Sequence, residues 1–470
     1  MAVEAAAAGL LLSLYLVLAF RVAAAETLYL GGDTTRDAAR AVEFLRTGRF
    51  SYEFSSAYES GHFSLLYIPF IKLFGNTILA LQAAALGVGC TTVLVLYAWL
   101  RRTFGLLPAL CVGSLYTTAP SLLSHLTVNA EMNIPLLLGT IMLLRTWQSR
   151  AVRRLSLAAA GVFACSAAYI IFPFAAYLWC AGRSPGKTQG LDRRETLLGT
   201  GLFLGGLSLL AWKFLVIGAS YGHFGAAHWG GEFLRTNLQQ WRHPAALLSS
   251  LWTQWSAALA LHHRWGPWPG PVSWSWVVLA WSAAFIASLA AAESRRWAVG
   301  LGLGLLAAGL VQSPGSLGQR HMIAFLPLQW AFLASVLAQA TRPALRRALV
   351  ALVALIIVKQ AMLSAAVSEA RRPWADKVRQ DTELAARLAG MRDGVEVRIA
   401  GGSDNSFFCL KYLSPGRGYS FTKGEGPSQS SGTIHLYAAP PRPTGGRVLA
   451  TRLFFVDHTS YDVIYHHPSN

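Results

Sequence analysis

The chain has 470 residues, of which 54% are hydrophobic and only 13% charged, where a soluble domain carries about 25% charged residues. The net charge is +18. Much of that excess lies in short arginine clusters between apolar runs, as the positive-inside rule requires. No basic stretch interleaved with aromatics sits on a polar domain, which excludes nucleic acid as a partner.

The first apolar run, near residues 6–25, ends in "VAAAE", which resembles a signal-peptide cleavage site. Glu4 and the absence of Lys or Arg before it favour an uncleaved first span. A spanning helix needs roughly 20 apolar residues, and the chain offers about eleven such segments. They lie near 6–25, 78–100, 105–123, 130–147, 155–168, 170–182, 196–217, 273–292, 297–312, 320–340 and 346–367. The fifth and sixth meet near Tyr169, where Pro173 lacks a donor and disfavours helix at Phe172. With a cytoplasmic N-terminus, the basic clusters at 101–102, 145–154, 182–194, 293–296 and 342–347 all fall inside, provided that 155–182 crosses twice.

The expectation is an α-helical polytopic membrane protein, with a transmembrane domain over 1–370 and outer loops at 26–77 and 218–272. A small extracytoplasmic α/β domain follows over 371–470. It is expected to begin with a helix over about 373–390 and to hold β-type runs at 395–401, 433–439 and 452–458. "GGSDNSFFCLKYLSPGRGYSF" reads as a strand-turn unit, and the domain as a cap over the site. The histidines of 218–272 fit no recognised ligand spacing, and the loop's tryptophans suit the interfacial belt. The five cysteines imply neither zinc nor a disulfide framework.

The first outer loop opens with "GGDTTRDAARAVEFLRTGRF", 31–50. From Thr34 to Thr47 it is amphipathic, with Ala38, Ala41, Val42 and Leu45 as an apolar stripe. This suits a helix lying on the outer membrane surface. Asp33 reads as its N-cap, and Arg36, Asp37 and Arg40 as a solvated, ion-paired face. "AYESGHFSLLYIPFIKLFGN", 57–76, follows.

This order of motifs resembles the GT-C superfamily of membrane glycosyltransferases, in the branch of protein O-mannosyltransferases and lipid A aminoarabinose transferases. That branch opens its first outer loop with "D-E-x-R-Y-A" and continues with "E-K-P-P-L" and "LFG". Asp33, Arg36 and Ala38 match the first motif, Gly48 the glycine that ends its helix, and Glu59 the glutamate of the second. Thr34 departs from the second acid, for which Asp37 is the nearest substitute, and Gly61-His62 replaces the proline pair. "TVNAEMNIPLLLGTIMLLRTW", 127–147, is similar to the family's next outer motif, with Glu131 and Pro135 in place. Glu131 also reads as a simple span cap. "GSLGQRHMIAFLPLQW", 315–330, resembles its arginine-aromatic run, with Arg320 as the base and His321 where an aromatic is usual. Arg320 also reads as an interfacial arginine.

The resemblance implies a polyprenyl-phosphate-linked sugar as donor, an acceptor of unidentified class, and an inverting reaction. Asp33 is then the general base that takes the acceptor's proton, with Glu59 and Asp37 as further catalytic candidates. Positive charge on the leaving phosphate comes from Arg320, Arg36 or Lys72, or from a divalent metal held by Asp33 and Glu59. His62, Glu131 and His321 complete the substrate-binding candidates. A bacterial cytoplasmic membrane is the expected location. The rival reading is a GT-C-like protein without transferase activity that binds lipid-linked sugar or serves as an accessory subunit. A transporter fits less well, because the span centres hold almost no charged residues.

Overall fold

The computed structural model describes residues 2–27, 30, 32–49, 64–119, 275–289, 292–311, 325–390, 396–400, 404–415, 418–422, 433–437, 447–455 and 460–466, with isolated positions between 123 and 252. The spans expected at 130–147, 155–168 and 170–182, and most of 196–217 and 218–272, lie outside the described residues. The described helices are α1 (Ala2–Ala25), α2 (Gly32–Thr47), α3 (Ser64–Phe74), α4 (Ile78–Phe104), α5 (Leu106–Thr118), α6 (Ser275–Ser288), α7 (Ala292–Val311), α8 (Leu326–Gln339) and α9 (Pro343–Gly390). The sheet region follows. Among the described residues, α1, α4 and α9 are long and apolar enough to cross a membrane.

α1 is apolar on every side. It buries Leu11, Tyr15, Leu18, Ala19 and Val22 and exposes Leu10, Val17 and Phe20. A helix with protein on one side and acyl chains on the other needs this all-round apolarity. At the start of α1, Glu4 accepts hydrogen bonds from Tyr97 Oη at 2.7 Å and Arg101 Nε at 2.8 Å. The N-terminus and the end of α4 therefore share one end of the bundle, as the charge pattern requires of Arg101 and Arg102. Thr77 caps α4, its Oγ1 accepting from the Ala80 N–H. Gly105 alone separates α4 from α5, at φ +96°, a conformation that a Cβ would oppose.

The bundle core centres on Tyr15, Trp99, Tyr116, Trp297 and Trp330. Tyr15 stacks on Tyr116, and Tyr116 meets Trp330 edge-on with centroids 4.8 Å apart. A Cβ on Gly89 of α4 would lie 1.8 Å from the Tyr15 hydroxyl oxygen and 2.6 Å from its Cζ. The ring is backed by Tyr116 and has little room to retreat. Gly89→Ala is expected to destabilise the protein by about 2 kcal/mol through overpacking, read by thermal unfolding in detergent micelles. Wild-type stability would show that α1 and α4 do not approach this closely.

Three sequence expectations change here. The cluster at 293–296 was expected in a loop, but α7 begins at Ala292, and Arg296 is buried with its guanidinium 4.7 Å from the centre of the Trp297 ring. Stacking on the indole stabilises the cation away from water. The span at 346–367 and the helix at 373–390 are one helix, α9, with Pro373 inside it. Its 48 residues reach ~72 Å, well past the ~30 Å apolar thickness of a bilayer. The gap expected between the two, at 368–372, is closed as helix, with contacts on both sides of Pro373. Arg371 Nη1 meets Glu26 Oε1 at 2.6 Å, and Arg379 Nη2 donates to the Ala24 carbonyl at 2.6 Å and pairs with Asp376.

The third change concerns "DNSFFCLKYL". It forms a helix, α10 (Asp404–Leu413), rather than a strand. Its aromatic content favours β structure locally. However, Ser406, Phe407, Phe408, Cys409, Leu410 and Tyr412 are all buried, and a helix apolar all round is stable when covered on several sides. Around it lie β1 (Glu396–Ala400), β2 (Gly418–Thr422), β3 (Thr433–Tyr437), β4 (Arg447–Phe454) and β5 (Ser460–His466), in the order β2-β1-β3-β5-β4. β1 is parallel to β2 and β3, while β5 is antiparallel to β3 and β4. The runs expected at 395–401 and 433–439 match β1 and β3. The third expected run overlaps only the end of β4. Ala385, Ala386 and Ala389 of α9 share a core with Phe407, Phe408 and Leu410 of α10 and with Leu453 and Val463 of the sheet.

Candidate functional site

The loop that carries the first motif enters from the end of α1. Glu26 is 5% exposed, and burial pushes its carboxyl up to about 7, although Arg371 opposes the rise. α2 begins at Gly32, so Asp33 lies in its first turn rather than at the cap position.

Positions 33, 36, 37 and 40 follow the i, i+3, i+4, i+7 spacing of one helix face. The structure does not leave this face in water. Arg36 is 9%, Asp37 5% and Arg40 4% exposed. The expectation of a solvated charged face on a surface-lying helix is overturned, because α2 is covered on both faces. On one side, Asp37 Oδ1 accepts from Arg40 Nη1 at 3.1 Å and from Ser64 Oγ of α3 at 3.5 Å. On another, the Arg36 guanidinium carbon lies 5.9 Å from the centre of the Phe408 ring of α10. The apolar stripe behaves as expected over Ala38, Ala41 and Val42. These share a buried cluster with Tyr67 and Ile71 of α3, Leu81 of α4, Val378 of α9, and Cys409 and Tyr412 of α10. Leu45 is exposed.

α10 has two further holds on this layer. Tyr412 Oη donates to the Thr77 carbonyl at 2.9 Å. Lys411 Nζ stands 3.8 Å from Glu43 Oε2. The region after α9 is thus packed directly onto the motif helix.

The structure brings Asp37, Arg40 and Ser64 together and sets Arg36, on the same helix, against Phe408. Lys72 lies apart from them, exposed in the last turn of α3. Glu59, His62, Glu131, Arg320 and His321 lie outside the described residues, and so does the side chain of Asp33. Among the described residues no three His, Cys, Asp or Glu side chains gather as a metal site. Sequence reasoning missed Glu26, Ser64 and Phe408. Glu26 ends an apolar run and reads there as an ordinary boundary residue. Ser64 and Phe408 become neighbours of α2 only through tertiary contacts.

No protein-family model matches the sequence, and no curated protein matches it. Solved structures do. The chain superimposes on ArnT from Cupriavidus metallidurans bound to undecaprenyl phosphate with a TM-score of 0.60, at 15% identity over 97% of each chain. The apo state of the same protein gives 0.59, with the same identity and coverage. A weaker likeness, TM-score 0.45 at 11% identity over 86% of this chain and 62% of the other, is to the Archaeoglobus fulgidus oligosaccharyltransferase in complex with zinc and sulfate.

Proposed function

We propose that this chain, which has the GT-C fold, moves a sugar from a polyprenyl-phosphate donor to an acceptor at the extracytoplasmic face of a bacterial cytoplasmic membrane. The fold match to a protein crystallised with undecaprenyl phosphate, extending over nearly the whole of both chains, carries this reading. The burial of Thr34, Arg36 and Asp37 on the motif helix supports it, because a transferase must hold its reacting groups away from bulk water.

Asp33 takes the acceptor hydroxyl's proton as that oxygen attacks the anomeric carbon. The polyprenyl phosphate leaves from the opposite face, so the sugar carbon inverts. Phosphate is a good leaving group and needs positive charge more than a proton. Arg320 supplies that charge, while Arg36 in the buried layer binds the donor's phosphate, already anionic in the ground state. Lys72, on the exposed turn of α3, is the weaker competitor. Glu59 orients the acceptor.

One observation favours the rival, an inactive protein that binds lipid-linked sugar. Thr34 stands where the family has a second acid, and Asp37 already accepts from Arg40 and Ser64. The test mixes membranes containing the protein with radiolabelled polyprenyl-phosphate sugars and candidate protein, lipid and glycan acceptors. Transfer that falls at least ~100-fold in Asp33→Asn supports the base assignment. Donor binding without transfer, in wild type and variant alike, establishes the rival instead.

A further inference from the structure

We infer that Phe408, on α10 of the C-terminal region, is a positioning residue that holds the Arg36 guanidinium in place on the motif helix. The transfer arm of this inference rests on the reading above; its structural arm does not.

Three features single out this contact. Arg36 is 9% exposed, so its guanidinium needs partners within the protein. The Phe408 ring centre lies 5.9 Å from the guanidinium carbon, within the range over which an aromatic face attracts a cation. Phe408 is itself fixed. It is 4% exposed, meets Phe407 edge-on at 5.2 Å, and rides on a helix tied to the N-cap of α4 by the bond from Tyr412 to the Thr77 carbonyl. A ring that is already fixed adds no ordering cost of its own when it holds a long, flexible side chain. The C-terminal region thereby sets the geometry of α2, in addition to covering it.

Phe407 provides an internal control. It belongs to the same core, but its ring stands 5.9 Å from Lys411 Nζ. Loss of core packing, or of a cation-binding ring face in general, would affect Phe407→Leu and Phe408→Leu alike, whereas the ring face toward Arg36 is lost only in the second. Phe408→Tyr keeps the face and serves as the rescue.

The experiment measures amide hydrogen exchange over residues 34–43 in the full-length protein in detergent micelles, together with donor KM and kcat. Phe408→Leu is expected to speed exchange over α2 by about 10-fold and to raise donor KM by about 10-fold with kcat little changed. Phe408→Tyr should stay within about twofold of wild type in both, and Phe407→Leu should leave donor KM unchanged. Identical behaviour of Phe407→Leu and Phe408→Leu in α2 exchange overturns the inference, whatever the transfer assay shows. Faster exchange with unaltered donor KM overturns the link to Arg36 in the reaction. If the wild type transfers nothing, the transferase reading fails, and the exchange comparison alone decides whether Phe408 positions α2.

Discussion

Asp37→Ala is expected to lower stability by about 4 kcal/mol, because removing one partner of a buried ion pair leaves the other charge in a medium that cannot solvate it. The pair with Arg40 has side chains only 5% and 6% exposed, and its 3.1 Å contact lies within one helix face. The same carboxylate also accepts from Ser64, so its loss removes a hydrogen bond between α3 and α2 as well. Thermal unfolding in detergent micelles measures the effect. The double variant Asp37→Ala, Arg40→Leu should recover part of the loss, since an apolar substitute for a buried pair is often tolerated. A single-variant loss below about 1 kcal/mol would place the pair in the energetic class of exposed ion pairs and contradict the burial of this face. Activity should fall with stability, because α2 carries Asp33 one turn before Asp37.

The stability of the wild type should also fall as pH rises from about 5 to about 7.5, and Glu26→Gln should flatten that slope. The Glu26 carboxyl is raised by burial from 4.5 to about 7. Between those values the folded protein holds a proton that the unfolded chain has released. The sign follows from this. The folded state is favoured below the unfolded value, and the advantage is lost as pH climbs through about 7. The difference amounts to roughly 3 kcal/mol at 1.36 kcal/mol per decade. Above that window Glu26 is charged and the ion pair with Arg371 is complete, but the desolvation of the carboxylate outweighs it. Glutamine keeps an acceptor for Arg371 and carries no titrating proton. Unfolding midpoints across this pH range decide the matter. An equal slope in wild type and Glu26→Gln would exclude Glu26 as the source.

Both predictions concern groups whose role the chain does not reveal locally. Asp37 and Arg40 have the spacing of an ordinary exposed i, i+3 pair. Glu26 has the placement of an ordinary boundary acid. In each case the decisive neighbour comes from elsewhere: Ser64 from α3 and Arg371 from α9.

What the chain determined by itself is what short-range physics governs. The spans corresponding to α1, α4 and the first half of α9 were legible because a run of apolar residues long enough to cross a bilayer has few other fates. α2 was legible from its 3.6-residue period and Gly48, and the motif order from Asp33 to Glu59 pointed to the GT-C fold. Tertiary structure decided where water is absent. It buried both faces of α2, kept α9 continuous through Pro373 by tying Arg371 and Arg379 to the end of α1, and made "FFCLKYL" a helix by enclosing it between α2 and the sheet. Burial depends on surfaces that meet only after folding, so a polar stripe looks the same in sequence whether it will face solvent or a phenylalanine more than three hundred residues away.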